Sequence, residues 1–524
     1  MNILNHLLDK SAEFKKITAA FEKNAFPIGI SGAADAQKAH LVSELCEHEN
    51  RPAFIITHSE QAAKRLYEDL RFFSEHGCIY VPPRDIVLYE VEAADRKADN
   101  DRAYALSRLD GTAIGIASVE SFMQTVPDAE NLSSLRFVLR EGGKADLSEL
   151  SERLVKIGYT RVITVDSPGQ FAIRGGIADI FPPGADNGIR AEFFGDDIDS
   201  VRSFDCDTQL SIKRLEEAEI IPVRTAAEAS SLFSYIPKDT IIFFDEPLRI
   251  GEAAKAVEWE IGENIKTLAE KDVEIKNEKP INTYAEIMAE AEKRSLVGIS
   301  SLSAVFPDMP LRTDLSVTAK GMGGYGGNIE FLVEDLRRWL SEKYRIAILG
   351  GSSSRAAKIR EMLTAYEIKC IFAPQAEELS DEYITVVSGS ITHGFEYPLE
   401  KVIVISDKEI FAEEKKRRSR TSIHDDNIAK IKSVDKLEPG DLVVHRAHGI
   451  GKYLGIVSMK VKGVSKDYIK IAYRGEDFLY LPVGQLDAVS KYTGGSENSI
   501  VRLNKLGSNE WANARKKVKS SVQE

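Results

Sequence analysis

Short apolar runs alternate with amphipathic stretches through the first quarter of the chain. Residues 27–30, 53–56, 78–81 and 113–116 are almost wholly apolar, and stretches between them, such as 60–74, repeat apolar residues at helical spacing. Buried strands alternating with helices predict a parallel α/β layer over residues 1–126. From 127 to 212 the runs shorten and turn residues separate them. Strands are expected at 137–140, 161–165, 175–181, 189–194 and 198–204, with one helix at 147–157, which together read as an inserted α+β domain.

The α/β pattern returns over 213–330, where 240–244 is a strong buried strand followed by a long charged helix through the 250s and 260s. Residues 331–410 read as a further small α/β domain, with strands at 345–349, 369–372, 384–387 and 401–405 and a helix at 354–366. Over 411–436 the run Lys415-Lys416-Arg417-Arg418-Ser419-Arg420 has no apolar periodicity and reads as a basic linker. Strands expected at 441–445, 451–461, 467–473 and 478–482, separated by glycine-rich turns, make 437–495 a small bent β-barrel of the Tudor or SH3-like sort. Residues 496–524 end in a basic amphipathic helix from Asn509 with no glycine cap, the expected start of a helix leading onward. The fold class is therefore multidomain α/β with one small all-β domain.

Composition narrows the class of partner. A chain of 524 residues exceeds one hydrophobic core. Its net charge of −13 favours protein partners over a grip on duplex DNA, because neutralising phosphates supplies most of the affinity for DNA. No run of apolar residues is long enough to span a bilayer, and residues 1–10 lack the apolar core of a signal peptide. Cys46, Cys78, Cys206 and Cys370 lie far apart without a CxxC pair. That spacing argues against a disulfide framework or a zinc site and suits a reducing cytoplasm. No metal or cofactor is expected, and the chain reads as a monomer.

The segment 27–36 stands where a phosphate-binding loop would, between strand and helix. The working pattern needs a second glycine, a lysine and a hydroxyl; counting from Gly29, those positions hold Ala34, Asp35 and Ala36. A carboxylate in the lysine position repels phosphate. Sliding the register to Gly32 gives Gln37, Lys38 and Ala39, which restores a lysine alone. The loop is read as non-functional, and no catalytic residue is assigned. Asp245-Glu246-Pro247 after a strand resembles a metal-binding Walker B end, but an acidic helix N-cap explains it too and is preferred. Leu349-Gly350-Gly351-Ser352-Ser353-Ser354 could bind an anion at a helix N-terminus, and a glycine turn with a serine cap is again preferred. His445 and His448 read as a structural pair.

Two stretches carry a family resemblance. Residues 169–182 (GQFAIRGGIADIFP) with 190–202 (RAEFFGDDIDSVR) resemble the insertion domain shared by the excision-repair protein UvrB and the transcription-repair coupling factor family, known as Mfd. Residues 440–445 (GDLVVH), 449–453 (GIGKY) and 479–483 (LYLPV) resemble the RNA-polymerase-interacting domain of that family and of CarD-type regulators. Both on one chain, behind a degenerate phosphate loop, point to the coupling factors.

The resemblance implies a UvrB-like module over about 1–330, with 213–330 as its second α/β part, then the small α/β domain and the polymerase-binding barrel. It implies that Arg174, Arg190 and Phe194 contact UvrA. It also implies that the apolar edge Ile456, Val457, Ser458, Met459, Lys460 and Val461 engages the β subunit of RNA polymerase. Family members are ATP-dependent DNA translocases that displace stalled polymerase, and they meet duplex DNA mainly through motor domains. No motor motif stands in this chain, so it is expected to be the non-enzymatic front portion. Two alternatives stay open: a free-standing CarD-like regulator, and a nucleotide-dependent enzyme using the 350 loop.

Overall fold

The computed structural model describes residues 3–33, 36–84, 86, 96–223, 230–270, 279–302, 306, 308–372, 378–411, 428–430, 439–445, 449–461, 464–474, 478–482 and 489–492. The chain divides into two compact units, one of residues 1–263 with 276–414 and one of residues 264–275 with 415–524.

A seven-stranded parallel sheet organises the first unit. Its order is Thr313–Ser316, Ile28–Ser31, Ser295–Ser300, Ile241–Asp245, Ala53–Thr57, Ile114–Ser118, Cys78–Val81. The central strands are buried on both faces, which is why they read as continuous apolar runs rather than alternating ones. Ile241–Asp245 lies directly beside Ala53–Thr57, so the segments on either side of the insertion build one sheet. Ser295–Ser300 was not expected, because its serines and Gly298 mask a fully buried strand. A Cβ at Gly298 would come within 2.6 Å of Met309 and 2.9 Å of Phe306, so the glycine is a packing requirement.

The insertion is a six-stranded sheet ordered Ser211–Leu215, Asp197–Phe204, Gly188–Phe194, Ile177–Phe181, Gln170–Arg174, Thr160–Arg161. It is antiparallel except for the last pair. Helix Leu147–Lys156, capped by Asp146, contributes Leu150 and Leu154 to its core. Three expectations need correction here. The strand at 175–181 is the second arm of a hairpin: Gly175, at φ 59°, turns the chain between Gln170–Arg174 and Ile177–Phe181. The strand at 161–165 shrinks to Thr160–Arg161. The boundary at 212 falls inside Ser211–Leu215, and Glu217–Ile220 pairs back onto Phe137–Arg140.

A third sheet, mixed in direction, has the order Lys320–Gly321, Phe395–Tyr397, Val402–Ser406, Arg345–Leu349, Ile384–Val387, Cys370–Phe372. It begins before 331, since Lys320–Gly321 belongs to it and helix Ile329–Ser341 starts earlier. Alternation along its strands divides the core. Ile346, Ile348, Ile403 and Ile405 pack with helices Ile329–Ser341 and Ser353–Ala365. Ala347, Leu349, Val402 and Val404 join the core built by helices Ala36–Glu49 and Glu60–Phe73 of the first sheet. This domain thus shares a core with its neighbour. Gln37 Nε2 donates to the Lys320 carbonyl at 2.9 Å, and Thr392 donates its N–H and hydroxyl to Asp69, both at 2.6 Å.

In the second unit, a six-stranded antiparallel sheet runs Ile428–Lys430, Val489–Tyr492, Leu442–His445, Gly449–Val461, Val464–Ala472, Phe478–Pro482. Val443, Tyr453, Ile469, Ile471, Tyr473 and Val489 form its core. Ile428–Lys430 lies inside the expected linker and is a paired strand. The basic run at 415–420, the helix expected from Asn509, and Ala34, Asp35 and His448 lie outside the described residues.

Candidate functional site

On the insertion sheet, strand alternation sends Arg190, Glu192 and Phe194 to the same side of Gly188–Phe194. Arg190 stands opposite Asp179 in register. Asp179 is completely buried and binds two arginines. Arg174 Nη2 donates to Oδ2 at 2.6 Å, while Arg190 donates through Nε at 2.7 Å and Nη2 at 3.0 Å. The Arg190 guanidinium also lies 4.6 Å from the Phe204 ring centroid and donates to the Gln209 carbonyl. Hydrogen bonding to Asp179 holds the Arg190 pKa above its ordinary value, against the opposing effect of burial.

Phe194 stands near the hairpin tip and is 83% exposed, so it is neither a core residue nor covered by the arginines. Ile212, at the irregularity of the outer strand Ser211–Leu215, is also exposed. The structure brings Arg174 and Arg190 together on one carboxylate. Asp179 was missed from the sequence, although an acid inside the apolar strand Ala178-Asp179-Ile180 was the available signal.

In the six-stranded sheet of the second unit, strand Gly449–Val461 pairs with Leu442–His445 only through Gly449–Lys452. Pairing with Val464–Ala472 continues to Val461 on the other side. From Leu454 onward the first edge has no strand partner among the described residues. Gly455, at φ 118°, sits at an irregularity in the ladder where this change occurs. Ile456 is exposed and Val457 half-buried. Ser458, Met459, Lys460 and Val461 continue the strand backbone, while their side chains lie outside the described residues. His445 is buried within its strand.

The degenerate loop lies between a strand and a helix. Ile28–Ser31 leads into helix Ala36–Glu49, and Gly32 takes φ 96° with the Val317 carbonyl 2.1 Å from where a Cβ would stand. Lys38 reaches the ends of the parallel strands. Its Nζ donates to Asp245 Oδ1 and Glu246 Oε1, each at 2.6 Å. The reading of Asp245-Glu246-Pro247 as a simple helix cap gives way, because both carboxylates are engaged by this lysine. Glu246 further accepts from the Ser301 N–H at 2.8 Å and hydroxyl at 2.7 Å. Burial works against its ionised form, but Lys38 and Ser301 outweigh burial and hold the carboxyl down at about 2. Burial likewise works against the Lys38 ammonium, and the two carboxylates raise its pKa overall. At the neighbouring strand end, burial and then Arg249 push the His58 imidazole below its usual range. The cation that would grip phosphate is thus held by the carboxylates that would hold a metal.

At the 350 loop, Gly351 takes φ 68° and the Ser352 hydroxyl accepts from the Arg355 N–H, capping helix Ser353–Ala365. The glycine turn with a serine cap is what forms there. Among the described residues, no helix is long and apolar enough to cross a membrane.

Comparison with known proteins places both surfaces in described families. Residues 137–225 match the UvrB interaction domain, and residues 437–493 match the CarD-like/TRCF RID domain. Over its whole length the chain is 28% identical to a transcription-repair-coupling factor of Bacillus subtilis (strain 168), of which it covers 50%. It is 27% identical to proteins of the same description from Staphylococcus haemolyticus (strain JCSC1435) and Staphylococcus aureus (strain MRSA252), again covering 50% of each. The chain therefore spans about half the length of the curated relatives it matches.

Proposed function

We propose that this chain is a docking portion of a transcription-coupled repair factor, joining RNA polymerase to the nucleotide-excision repair protein UvrA. The observation that carries the reading is the presence, on one chain, of a UvrB interaction domain and a CarD-like/TRCF RID domain. On this reading the Arg174, Arg190 and Phe194 face receives UvrA. Arginines pre-set on a buried carboxylate and a protruding aromatic ring are the kind of anchors that dominate interfaces. The strands of the second unit curl into a Tudor-like barrel, and the edge from Ile456 to Val461 takes up a strand of the polymerase β subunit by backbone pairing.

ATP-driven translocation and the main contacts to duplex DNA belong, on this proposal, to the part of the coupling factors that this chain does not span. The chain acts as a monomer in the cytoplasm and does not itself use ATP. The direct test immobilises the purified chain and offers UvrA and polymerase β subunit, separately and together. Capture of both by one molecule is the expected result; failure to capture either with the chain folded overturns the reading.

A further inference from the structure

We infer that the first turns of the chain and the helix beneath them form a divalent-cation site whose ligands are His6, Asp9 and Glu44. One ligand atom from each residue lies within 4.8 Å of the other two. His6 Nδ1 and Asp9 Oδ2 are 3.3 Å apart, close to the separation of adjacent ligands on an ion held at ~2.1 Å.

Glu44 is the reason a cation belongs there. It is 4% exposed, and its Oε1 is buried without a hydrogen-bond partner. Its ion-pair neighbour among the described residues is His40, whose Nε2 is 3.3 Å away. That imidazole is committed elsewhere. Nε2 lies 2.8 Å from the Leu4 carbonyl, to which it can only donate, and Nδ1 lies 3.0 Å from the Tyr397 hydroxyl, whose proton it accepts. With both ring nitrogens so engaged, His40 leaves Glu44 Oε1 without a hydrogen bond. A buried carboxylate without a counter-charge is strongly unfavourable, and a bound cation offsets it.

The scaffold fits a fixed site. Glu44 sits on helix Ala36–Glu49. The segment bearing His6 and Asp9 is anchored on either side by buried Leu4, Leu7 and Leu8, and Asn5 Nδ2 donates to Glu47 Oε1 at 2.9 Å. His6 and Asp9 are exposed, which gives an ion its way in. One imidazole and two carboxylates suit Zn²⁺, Co²⁺ or Mn²⁺ better than all-oxygen ions such as Mg²⁺. Three protein ligands leave room for water on the ion. Its effect would be to cross-link the N-terminal segment to the helix.

The test uses the whole chain, free of tags and stripped with chelator, titrated with Co²⁺ by absorption and with Zn²⁺ by calorimetry. One saturable equivalent with Co²⁺ ligand-field bands displaced by Zn²⁺ is expected, together with a rise in Tm. His6→Ala, an exposed change that leaves the metal-free Tm in place, should weaken binding by at least about ten-fold and remove the Tm rise. Glu44→Gln should also remove the metal response while raising the Tm of the metal-free protein. Absence of a saturable site up to ion concentrations on the order of millimolar, or unchanged binding in both His6→Ala and Asp9→Ala, overturns the assignment.

Discussion

Lys38 Nζ lies 2.6 Å from Glu246 Oε1, so the helix following the degenerate loop is tied by charge to the end of a strand over two hundred residues away. Asp245 completes the cluster at the same distance from Lys38. Here the lysine serves as an internal counter-ion to both carboxylates.

Lys38→Met should therefore destabilise the first unit by about 3–5 kcal/mol, because it leaves two largely buried carboxylates without their cation. Urea unfolding measures this, and a change below about 1 kcal/mol would remove the cluster from the stability of the fold. The sign of the pH dependence follows from Glu246, whose folded pKa is depressed from 4.5 to about 2. Its contribution is fully present above pH 4.5 and is lost as pH falls toward 2. The wild-type chain should also show no saturable binding of labelled ATP with magnesium.

Phe194→Ala should weaken UvrA binding by about 1–3 kcal/mol with no loss of stability, since an exposed side chain away from the core is within about 0.5 kcal/mol of neutral on folding. Arg190→Ala should weaken binding by a similar ~1–3 kcal/mol. It should also lower stability, because buried Asp179 loses a bidentate partner. Binding by surface resonance beside a thermal melt separates the two. Unchanged affinity in the Arg174/Arg190 double variant, with circular dichroism intact, retires this face.

Met459→Arg should reduce capture of the polymerase β subunit by about 2–4 kcal/mol, roughly 30- to 1,000-fold, by placing a charge in an apolar contact that must lose water. Conservative apolar exchanges along Ile456 to Val461 should matter little, since backbone pairing supplies the affinity. Melting is followed in parallel. Capture lost with an unchanged melt supports the interface, loss of both makes Met459 a core residue, and capture retained takes it out of the site.

Asp69 offers a pH test of the shared core. Burial raises its carboxyl from 3.8 to about 6, and the two Thr392 bonds offset burial only in part. The folded state therefore binds the proton more tightly than the unfolded chain, so the ionised form carries a penalty above pH 6 that is relieved as pH falls toward 3.8. Relative to Asp69→Asn, the wild type should gain stability between pH 7 and 5. Urea midpoints of the two proteins across that range check it, and a difference that shifts the opposite way contradicts the assignment.

Wherever the physics was local, the sequence alone was informative. Strands buried on both faces announce themselves as apolar runs, so Ala53–Thr57, Ile241–Asp245, Arg345–Leu349 and Ile384–Val387 were legible to within a residue or two. A serine cap marked the helix start at Ser352. The residues expected to receive UvrA were legible only as a motif; that Arg174 and Arg190 converge on Asp179 depends on the pairing of three strands. Likewise, nothing local joins Lys38 to Asp245 and Glu246, Asp69 to Thr392, or Glu44 to His6 and Asp9. Ser295–Ser300 was missed because its burial comes from its neighbours and not from its own composition. A residue's propensity acts over a few neighbours and leaves its mark in the sequence, whereas a buried charge finds its partner only when strand order and register have brought distant segments together. The local elements were determined by the sequence read on its own; which charges meet, and hence what each site can do, was decided by the tertiary structure.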